Sequence, residues 1–555
     1  MEYSNHYKVD ALALFSLLFS ECVALQVIKD LHNLGLSWSP NRALTAALSL
    51  CIAACHVIPT SGTLLIMLSV VTLLVLVSHG SQSNHVVLEA LIAMGVLLTA
   101  PLPRCLLSMT ADQAHAVAER KAWIARFTVA MRALFCMLYC VTGVAKLNEA
   151  WFDYRYSCSV QMAAAALGDY LPSSPVLLAL LPPMAVGFEL TLPPLVLIAH
   201  CVEHSCTSLA RRTLRLCAVG GSFFHMLLAL PPPPLSVYPF SMLMAPIYLL
   251  LLPNEFAEAA RLILHMPRRV RGAAEGGAAV LVFAALMASR RSNLFEYPPY
   301  FSWELGVLWV SSVFTAMILA ALFSCAPTQR CAREATVVAS AGNSSTTENE
   351  QSVGSLRLFL AILPAATLGL IGVLPYIGIR SHVSLTMFSN LRVEADASNH
   401  LLIPNWLTRI SGGMSVSHSI QVLNTDLPSF TYAQVNLGPL LPNGTLSTLR
   451  RLNLSTEFYI SPPKWFHGPT QPFRSFCIPL VEVRRRLAAA TQPNFFIQYQ
   501  HLSGGESRWA IREYRREGGN RTDASDPALD VPLSSIQMIL QQVRTFDLSY
   551  SPCRH

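Results

Sequence analysis

A series of apolar stretches constrains the fold of this chain more than any other feature of its sequence. Most are about 17 to 25 residues long, the length at which a helix crosses the hydrocarbon core of a lipid bilayer. Composition agrees, since only 13% of the 555 residues are charged, whereas a soluble protein carries about a quarter. The pattern predicts an α-helical polytopic membrane bundle of about 9–11 spans, with candidate spans at 11–28, 43–60, 62–79, 86–108, 124–146, 175–202, 214–231, 235–252, 274–289, 303–325 and 356–376.

Basic residues in three loops predict how these spans are oriented. The loops after the fourth, sixth and eighth stretches are rich in arginine, and the positive-inside rule assigns such loops to the cytoplasm. If every stretch is a span, the end of 124–146 and everything after residue 376 lie outside, although Arg290 and Arg291 run against the rule. The formal net charge of +7 is small for this length. Arginines gathered in loops reflect topology, so we predict no nucleic-acid partner.

The chain divides into four segments by composition. Residues 1–325 hold most of the apolar stretches, and 326–355 form a polar segment that is predicted to be a disordered loop. The stretch 356–376 is the last predicted span. Residues 377–555 predict a β-rich extramembrane domain, because alternating runs such as 495–499 and 509–514 are separated by glycine pairs.

The C-terminal segment carries signs of a secretory or periplasmic environment. Glycosylation sequons begin at Asn443, Asn453 and Asn520. They agree with an outside location, which is lumenal in an endoplasmic reticulum-type membrane and periplasmic in a bacterial inner membrane. Three cysteines are also placed for a disulfide, and the sequence leaves their pairing open: Cys158, Cys477 and Cys553.

Lys146 is the main functional candidate from position alone. It follows the almost wholly apolar run 131–144 and precedes Trp151, so it falls at the end of a predicted span. Ionisable groups at membrane depth are costly, and they usually face a cavity, find a partner or do chemistry. The structural alternative is a lysine that extends its ammonium to the membrane surface, and position does not decide between the two.

Other polar residues within the apolar stretches are further candidates. His85 and Glu89 share a helix face and could form a hydrogen-bonded pair, or they could be a polar helix start and one cavity-facing carboxylate. His225 could line the same cavity as the lysine or be a structural histidine. Glu189 lies deep in the sixth stretch and needs a partner, for which we expect Arg132.

Residue types that bind metals cluster at 200–206, but they do not predict a metal site. The spacing of His200, Cys201, His204 and Cys206 matches no standard zinc signature. The sequence also lacks a nucleophile elbow, a phosphate-binding loop and a dinucleotide fingerprint. Common hydrolases and nucleotide-driven enzymes are therefore not indicated.

Three motifs in the apolar stretches resemble the vitamin K-dependent γ-glutamyl carboxylase family. Segment 132–151 begins with an arginine, continues through a tyrosine, and ends in Gly-Val-Ala-Lys-Leu-Asn-Glu-Ala-Trp. Asn84-His85 is similar to an Asn-His motif of the family, and Phe224-His225 with Phe240-Ser241 is similar to a Phe-His motif. The broader group is the HTTM, or carboxylase-like, membrane family. Its bacterial members also carry stretches that resemble 375–380, 387–392 and 398–401.

The resemblance implies an enzyme that oxidises vitamin K hydroquinone or a similar quinol with O2 and uses the base so generated to carboxylate peptide glutamate with CO2. The implied partners are membrane lipid and a Glu-containing protein substrate, and no metal is implied. Lys146 maps onto the catalytic lysine and His85 onto a functional histidine. A lysine must lose its proton to act as a base, and burial disfavours its charged form. The resemblance assigns the remaining residues to the quinol (His225, Arg132, Tyr139 and Phe240) and to the substrate (Asn399, His400 and Arg392).

Two other interpretations stay open. Ala145 stands where the carboxylase has the first lysine of a pair, and Leu134 stands where it has glutamine. A non-carboxylase member of the group that binds lipid or quinone, or that helps other proteins mature, would keep the bundle without the reaction. A transporter is less favoured, because the sequence shows no internal repeat.

Overall fold

The computed structural model of the chain describes most of the apolar stretches and a smaller share of the C-terminal segment. The described residues are 10–33, 42–79, 84–101, 113–203, 205–232, 235–265, 299–323, 348–380, 389–393, 398–410, 418–427, 430, 435–436, 443–456, 458–460, 476–502, 511–518, 520–521, 529 and 553–554. The predicted span 274–289 and most of the predicted loop 326–355 lie outside them.

The described chain is mostly helical, as the apolar stretches predict. A 3₁₀ turn at Gly168–Tyr170 follows the seventh helix, and another lies at Asn405–Arg409. The helices up to residue 373 are α1 (Ala11–Asn33), α2 (Arg42–Val57), α3 (Gly62–His79), α4 (Asn84–Thr99), α5 (Gln113–Ala145), α6 (Glu149–Phe152), α7 (Cys158–Leu167), α8 (Pro175–Val202), α9 (Thr207–Ala229), α10 (Tyr238–Leu249), α11 (Pro253–His265), α12 (Pro299–Phe323) and α13 (Glu348–Val373).

Among the described residues, three helices are long and apolar enough to cross a membrane, over Val117–Ala145, Pro175–Val202 and Trp303–Leu322. Helices α10 and α11 meet this criterion only as a pair, and they bend by 94° at the break between them. The predicted span 235–252 is thus not one straight crossing. Its 12-residue helix α10 extends about 18 Å, which is shorter than the hydrocarbon core of about 30 Å. Shorter apolar helices of 10–17 residues overlap the predicted spans 11–28, 43–60, 62–79, 86–108 and 356–376.

Helix α5 lies at the centre of the bundle. It packs against α4, α8 and α13, while α10 packs against α1, α9 and α12. Trp123 Nε1 donates to Thr99 Oγ1 and Arg126 Nε donates to the Thr99 carbonyl, each over 3.2 Å. The C-terminal end of α4 therefore lies beside the first half of α5. Fully buried aromatic side chains such as Phe127 and Phe135 fill the interior along α5.

The described part of the C-terminal segment contains two small sheets and two helices. The strands are β1 (Ser419–Thr425), β2 (Val435–Asn436), β3 (Phe458–Ile460), β4 (Phe476–Pro479), β5 (Phe495–His501), β6 (Ile511–Glu517), β7 (Asn520–Arg521) and β8 (Cys553–Arg554), and the helices are α14 (Asn443–Arg451) and α15 (Leu480–Ala489). An antiparallel sheet has the order β4-β1-β5-β6-β7, and a smaller mixed sheet has the order β2-β3-β8. The predicted alternating runs at 495–499 and 509–514 correspond to β5 and the start of β6.

Alternate residues of the larger sheet form a core with α15, including Ile420, Ile497 and Val483. Helix α14 instead packs against α7, and its Leu449 joins a cluster with Trp151. The C-terminal segment therefore contacts the bundle near the end of α5.

Two of the three cysteines expected in disulfides have side chains that the structure describes, and one of these two is bonded. Cys158, the first residue of α7, is disulfide-bonded, whereas Cys477 is buried and forms no disulfide. The side chain of Cys553 lies outside the described part of the chain. The expectation is thus confirmed for Cys158 and wrong for Cys477.

Candidate functional site

Lys146 and Glu189 form a buried ion pair at the end of α5. The Lys146 Nζ lies 2.6 Å from Glu189 Oε2 and 2.9 Å from Oε1, and the two side chains are only 11% and 6% exposed. Nζ also donates to the Thr142 carbonyl over 3.4 Å and lies 5.4 Å from the centre of the Trp151 ring. This geometry disfavours the surface-anchor alternative, since such a lysine would expose its ammonium.

Gly143 permits the close approach of α5 and α8 that forms this pair. A Cβ atom at residue 143 would lie 2.6 Å from Leu190 Cδ2 and 3.5 Å from Glu189 Cβ. Positions 143 and 146 share one face of the helix, so a larger residue at 143 would push α8 away and separate the carboxylate from the ammonium. The location at a helix C-terminus also favours a cation, because the last carbonyls carry partial negative charge.

Arg132 belongs to a different ion pair. Its Nη1 donates to Glu203 Oε2 over 2.8 Å, and its Nη2 donates to the Leu251 carbonyl at the bend after α10 over 3.0 Å. It precedes Lys146 by about four helical turns, or about 21 Å. The expected Arg132–Glu189 pair is wrong, because α8 runs antiparallel to α5 and brings Glu203 to Arg132 and Glu189 to Lys146.

A second buried polar cluster surrounds His225 in α9. His225 Nε2 lies 2.8 Å from the Tyr139 hydroxyl, and Nδ1 lies 3.1 Å from Ser241 Oγ. The Tyr139 hydroxyl is also hydrogen-bonded to the Tyr248 hydroxyl over 2.5 Å. Three phenylalanine rings lie with their centroids 5.8, 5.9 and 6.0 Å from the imidazole: Phe224, Phe240 and Phe314. The cluster places hydrogen-bonding groups within an aromatic, buried setting.

Tyr139 connects the two clusters. It lies two helical turns before Lys146 on the same face of α5. Lys146 interacts electrostatically with His225, and Glu189 interacts with Tyr139. Of the four residues that the resemblance assigns to a quinol, three lie together on this side of the bundle (His225, Tyr139 and Phe240), and Arg132 lies apart from them.

His85 lies at the same end of the bundle as Lys146. It is half-buried in the first turn of α4, and Thr99 at the other end of α4 is bonded to Arg126 of α5. At about 1.5 Å per residue, His85 lies about 21 Å from Thr99 along α4. The same distance along α5, measured from Arg126 towards its C-terminus, ends at about residue 140. The antiparallel order of α4 and α5 therefore brings His85 to the level of the two clusters.

His400 contacts the last turn of α5. Its Nε2 donates to the Val144 carbonyl over 2.9 Å, and its Nδ1 accepts from the backbone N–H groups of Leu402 and Ile403, each over 3.1 Å. The ring also packs edge-on against Tyr376 with centroids 5.2 Å apart. Burial lowers the pKa of His400, which agrees with a neutral imidazole that carries its proton on Nε2.

Asn399 forms hydrogen bonds both with the backbone of Arg392 and with the backbone that follows Lys146. The Asn399 side-chain oxygen accepts from the Arg392 N–H over 2.8 Å, and its carbonyl accepts from the Glu149 N–H over 3.1 Å. The neighbouring Asn148 forms an isolated antiparallel bridge with His400. The three residues that the resemblance assigns to the substrate thus belong to a segment that hydrogen-bonds the backbone on both sides of Lys146, at Val144, Leu147 and Glu149.

The described residues contain no group of three or more potential metal ligands. His200 Nδ1 instead lies 3.2 Å from Arg132 Nη1 and 3.7 Å from Glu203 Oε2, and His204 lies outside the described residues. Of the residues in this cluster, His200 therefore contributes to the ion pair of Arg132.

Tyr248 and Asn148 belong to the site, but sequence reasoning assigned no role to either. Tyr248 gives no signal in the sequence, because a tyrosine in an apolar run is ordinary until the helix opposite is known. Asn148 does give one, since asparagine is a preferred residue just before a helix. Its side-chain oxygen accepts from the Trp151 N–H over 2.9 Å, at the start of α6.

Comparisons of the chain with models of known protein families, with curated proteins and with solved structures find no match. The fold and site define a helical protein with a buried lysine–carboxylate pair beside a histidine–tyrosine cluster. This arrangement can move a proton between an amine and a carboxylate, and it can hydrogen-bond a polar ring.

Proposed function

We propose that this protein is a membrane-embedded enzyme of the vitamin K-dependent γ-glutamyl carboxylase type. The observation that carries the proposal is the buried ion pair of Lys146 and Glu189. A lysine at this depth is costly to keep for packing alone, and it occupies the position of the lysine that the resemblance implies to be catalytic. His85, at the same end of the bundle, assists through a hydrogen bond.

The ion pair supplies a way to make the lysine a base. An ammonium has no lone pair and cannot accept a proton. Transfer of a proton from Nζ to Glu189 Oε2 along the 2.6 Å hydrogen bond leaves a neutral amine and a neutral carboxylic acid. The loss of water around two buried charges lowers the free-energy cost of this transfer. The amine of Lys146 can then take a proton from a hydroquinone hydroxyl as a general base.

The cluster around His225 carries the kinds of group that would bind a hydroquinone. Its aromatic rings suit a flat apolar ring, and the imidazole and the tyrosine hydroxyls suit the hydroxyl groups at the edge of that ring. Oxidised by O2, the hydroquinone supplies the strong base that removes a γ-proton from peptide glutamate before CO2 is captured. The part of this chain is to bind and orient the quinol, to hold a proton at Lys146 and Glu189, and to exclude water.

The outer surface of the bundle supports a membrane location. Large apolar side chains are exposed on α8 and α9, among them Met184 at 65%, Leu216 at 72% and Phe223 at 56%. Large apolar side chains exposed on neighbouring helices are typical of contact with lipid or with a partner protein. The C-terminal segment would then face the lumen of an endoplasmic reticulum-type membrane, or the periplasm, and present the glutamate substrate.

The decisive experiment measures quinol oxidation by the purified protein in lipid nanodiscs. Vitamin K hydroquinone, bicarbonate and a glutamate-containing peptide are supplied in air, and epoxide and carboxylated peptide are quantified. We expect both products from the wild type, neither without O2, and neither from Lys146→Ala. Absence of epoxide from the folded wild type with every quinol tested would refute the proposal.

A second candidate function is a lipid- or quinone-binding protein of the same group, including a protein-maturation factor, that does no redox chemistry. The observation that favours it is the full engagement of the ammonium by Glu189, Thr142 and the Trp151 ring, which a purely structural ion pair would also show. Saturable quenching of tryptophan fluorescence by a quinone, with no turnover in the oxidation assay, would identify this function.

A further inference from the structure

The last carbonyls of α5 are capped by side chains from two separate parts of the chain. A helix leaves its final carbonyl groups without partners inside the helix, and in a buried place they need other donors. Asn148 Nδ2 donates to the Ala145 carbonyl over 2.9 Å, and His400 Nε2 donates to the Val144 carbonyl over 2.9 Å. These are the carbonyls that directly precede Lys146.

His400 can make these contacts in one protonation state only. Because its Nδ1 accepts from two backbone N–H groups, the proton must sit on Nε2, which donates to the Val144 carbonyl. No polar atom of the ring is left to bind a substrate. Asn148 is equally engaged, since its Nδ2 also donates to the Ser389 carbonyl over 2.6 Å and its Oδ1 accepts from the Trp151 N–H. Asn148 is fully buried, and His400 is 8% exposed.

The segment that carries His400 is itself anchored to α7. Asn390 adopts a positive φ of 55°, a conformation that asparagine tolerates better than most residues. In that conformation its Oδ1 accepts from the Cys158 N–H over 3.0 Å, and its Nδ2 donates to the Tyr156 carbonyl over 3.1 Å. The Leu401 N–H also donates to the Leu147 carbonyl over 2.9 Å. Both sides of Lys146 are thus tied to one segment.

We propose that residues 389–393 and 398–403, together with Asn148, form a clamp that holds Lys146 in reach of Glu189. His400 is then a positioning residue that acts through the end of α5 and does not bind the substrate. The catalytic consequence rests on the function proposed above, whereas the effect of the clamp on the lysine itself does not.

The chemical reactivity of Lys146 tests the clamp without any assumption about catalysis. The chain has few lysines, at 8, 29, 121, 146 and 464, so an amine-acylating reagent and mass spectrometry resolve each one. We expect His400→Phe, which keeps a ring against Tyr376 but loses all three hydrogen bonds, to raise the acylation rate of Lys146 about tenfold. The rate at Lys121, which is exposed on α5, should not change.

A second, nearly isosteric variant tests whether Lys146 is exposed by the loss of hydrogen bonds to α5 and not by misfolding of His400→Phe. Asn148→Asp keeps the oxygen that caps α6 but loses the amide donor to the Ala145 and Ser389 carbonyls, and it should also expose Lys146. The matched control is Asn424→Asp on β1, which makes the same chemical change at an exposed position and should leave Lys146 unchanged. Equal Lys146 rates in the wild type and both clamp variants would overturn the proposal.

The kinetics separate the clamp from the proposed function. If the wild type oxidises quinol, His400→Phe should lower kcat and leave KM for the glutamate peptide unchanged, because a residue that bound the peptide would instead raise KM. A raised KM with an unchanged Lys146 rate would overturn the clamp in favour of a substrate contact. If the wild type has no activity but the clamp variants still expose Lys146, the clamp stands and the proposed function fails.

Discussion

Replacing Lys146 with methionine removes one charge of the central ion pair and keeps most of the side-chain volume. At a separation of 2.6 Å, two unit charges attract by about 6 kcal/mol at an effective dielectric constant of about 20. Loss of water by both groups offsets much of that attraction. The single variant, however, leaves the Glu189 carboxylate at 6% exposure with no cation beside it. Removal of one partner of a buried pair typically costs about 3–5 kcal/mol.

A double-mutant cycle converts this reasoning into a measurement. We expect Lys146→Met and Glu189→Leu each to lower the free energy of unfolding by about 3 kcal/mol or more, and the double variant to recover most of the loss, since no unpaired charge remains. The assay is unfolding in mixed detergent micelles, followed by tryptophan fluorescence. The control is Arg155→Met, which breaks an ion pair of the same 2.6 Å length whose arginine side chain is 56% exposed, and which should have no measurable effect. Single variants as stable as the wild type, or losses that simply add, would refute a buried and coupled pair.

Three further predictions concern the surroundings of the pair. Gly143→Ala should destabilise the protein by about 1–3 kcal/mol, because the added Cβ would lie 2.6 Å from the Leu190 side chain. The control is Gly187→Ala on α8, whose Cβ would meet nothing within 4 Å and which should be tolerated. Equal unfolding midpoints for the two variants would contradict the close packing at Gly143. His225→Phe should cost about 1–3 kcal/mol by the same assay, because the hydroxyls of Tyr139 and Ser241 lose a buried partner, and no loss would mean that the cluster is not formed. Burial lowers the pKa of His400, so the imidazole takes up a proton more readily in the unfolded chain than in the folded one. The stability that the neutral ring contributes is therefore fully present above the ordinary histidine pKa of about 6.5, and it is lost as the pH falls through the lowered pKa of the folded state. His400→Phe should abolish that part of the pH dependence of unfolding, and an identical pH profile in the variant would show that another group is responsible.

The helical character of the chain and the prominence of Lys146 follow from the sequence alone. Apolar stretches of span length leave little choice but helices, because each helix satisfies its own backbone hydrogen bonds where water is scarce. A charged residue after such a run stands out because an isolated buried charge is costly. The same reasoning shows that Glu189 needs a partner, since it depends only on local composition.

The identity of that partner required the tertiary structure. Arg132 and Lys146 lie on the same helix about four turns apart, and either could meet a carboxylate on a neighbouring helix. Because α5 and α8 are antiparallel, Glu189 pairs with Lys146 and Glu203 pairs with Arg132. The absence of a side chain at Gly143 allows the close approach that this register requires. Local sequence contains no information about which turns of two distant helices lie side by side.

The roles of His400 and Asn148 show the same limit. The sequence marks His400 only through a stretch that resembles one of the carboxylase-like family, and that resemblance suggests a substrate contact. Only the fold brings the imidazole to the last turn of α5, where unpaired carbonyls require donors and two backbone N–H groups set its tautomer. The sequence by itself thus determines that the chain forms apolar helices, and that one of them ends in a lysine whose burial costs free energy. The tertiary structure decides which carboxylate neutralises that lysine and which side chains hold it in place, because both depend on contacts between residues far apart in the chain.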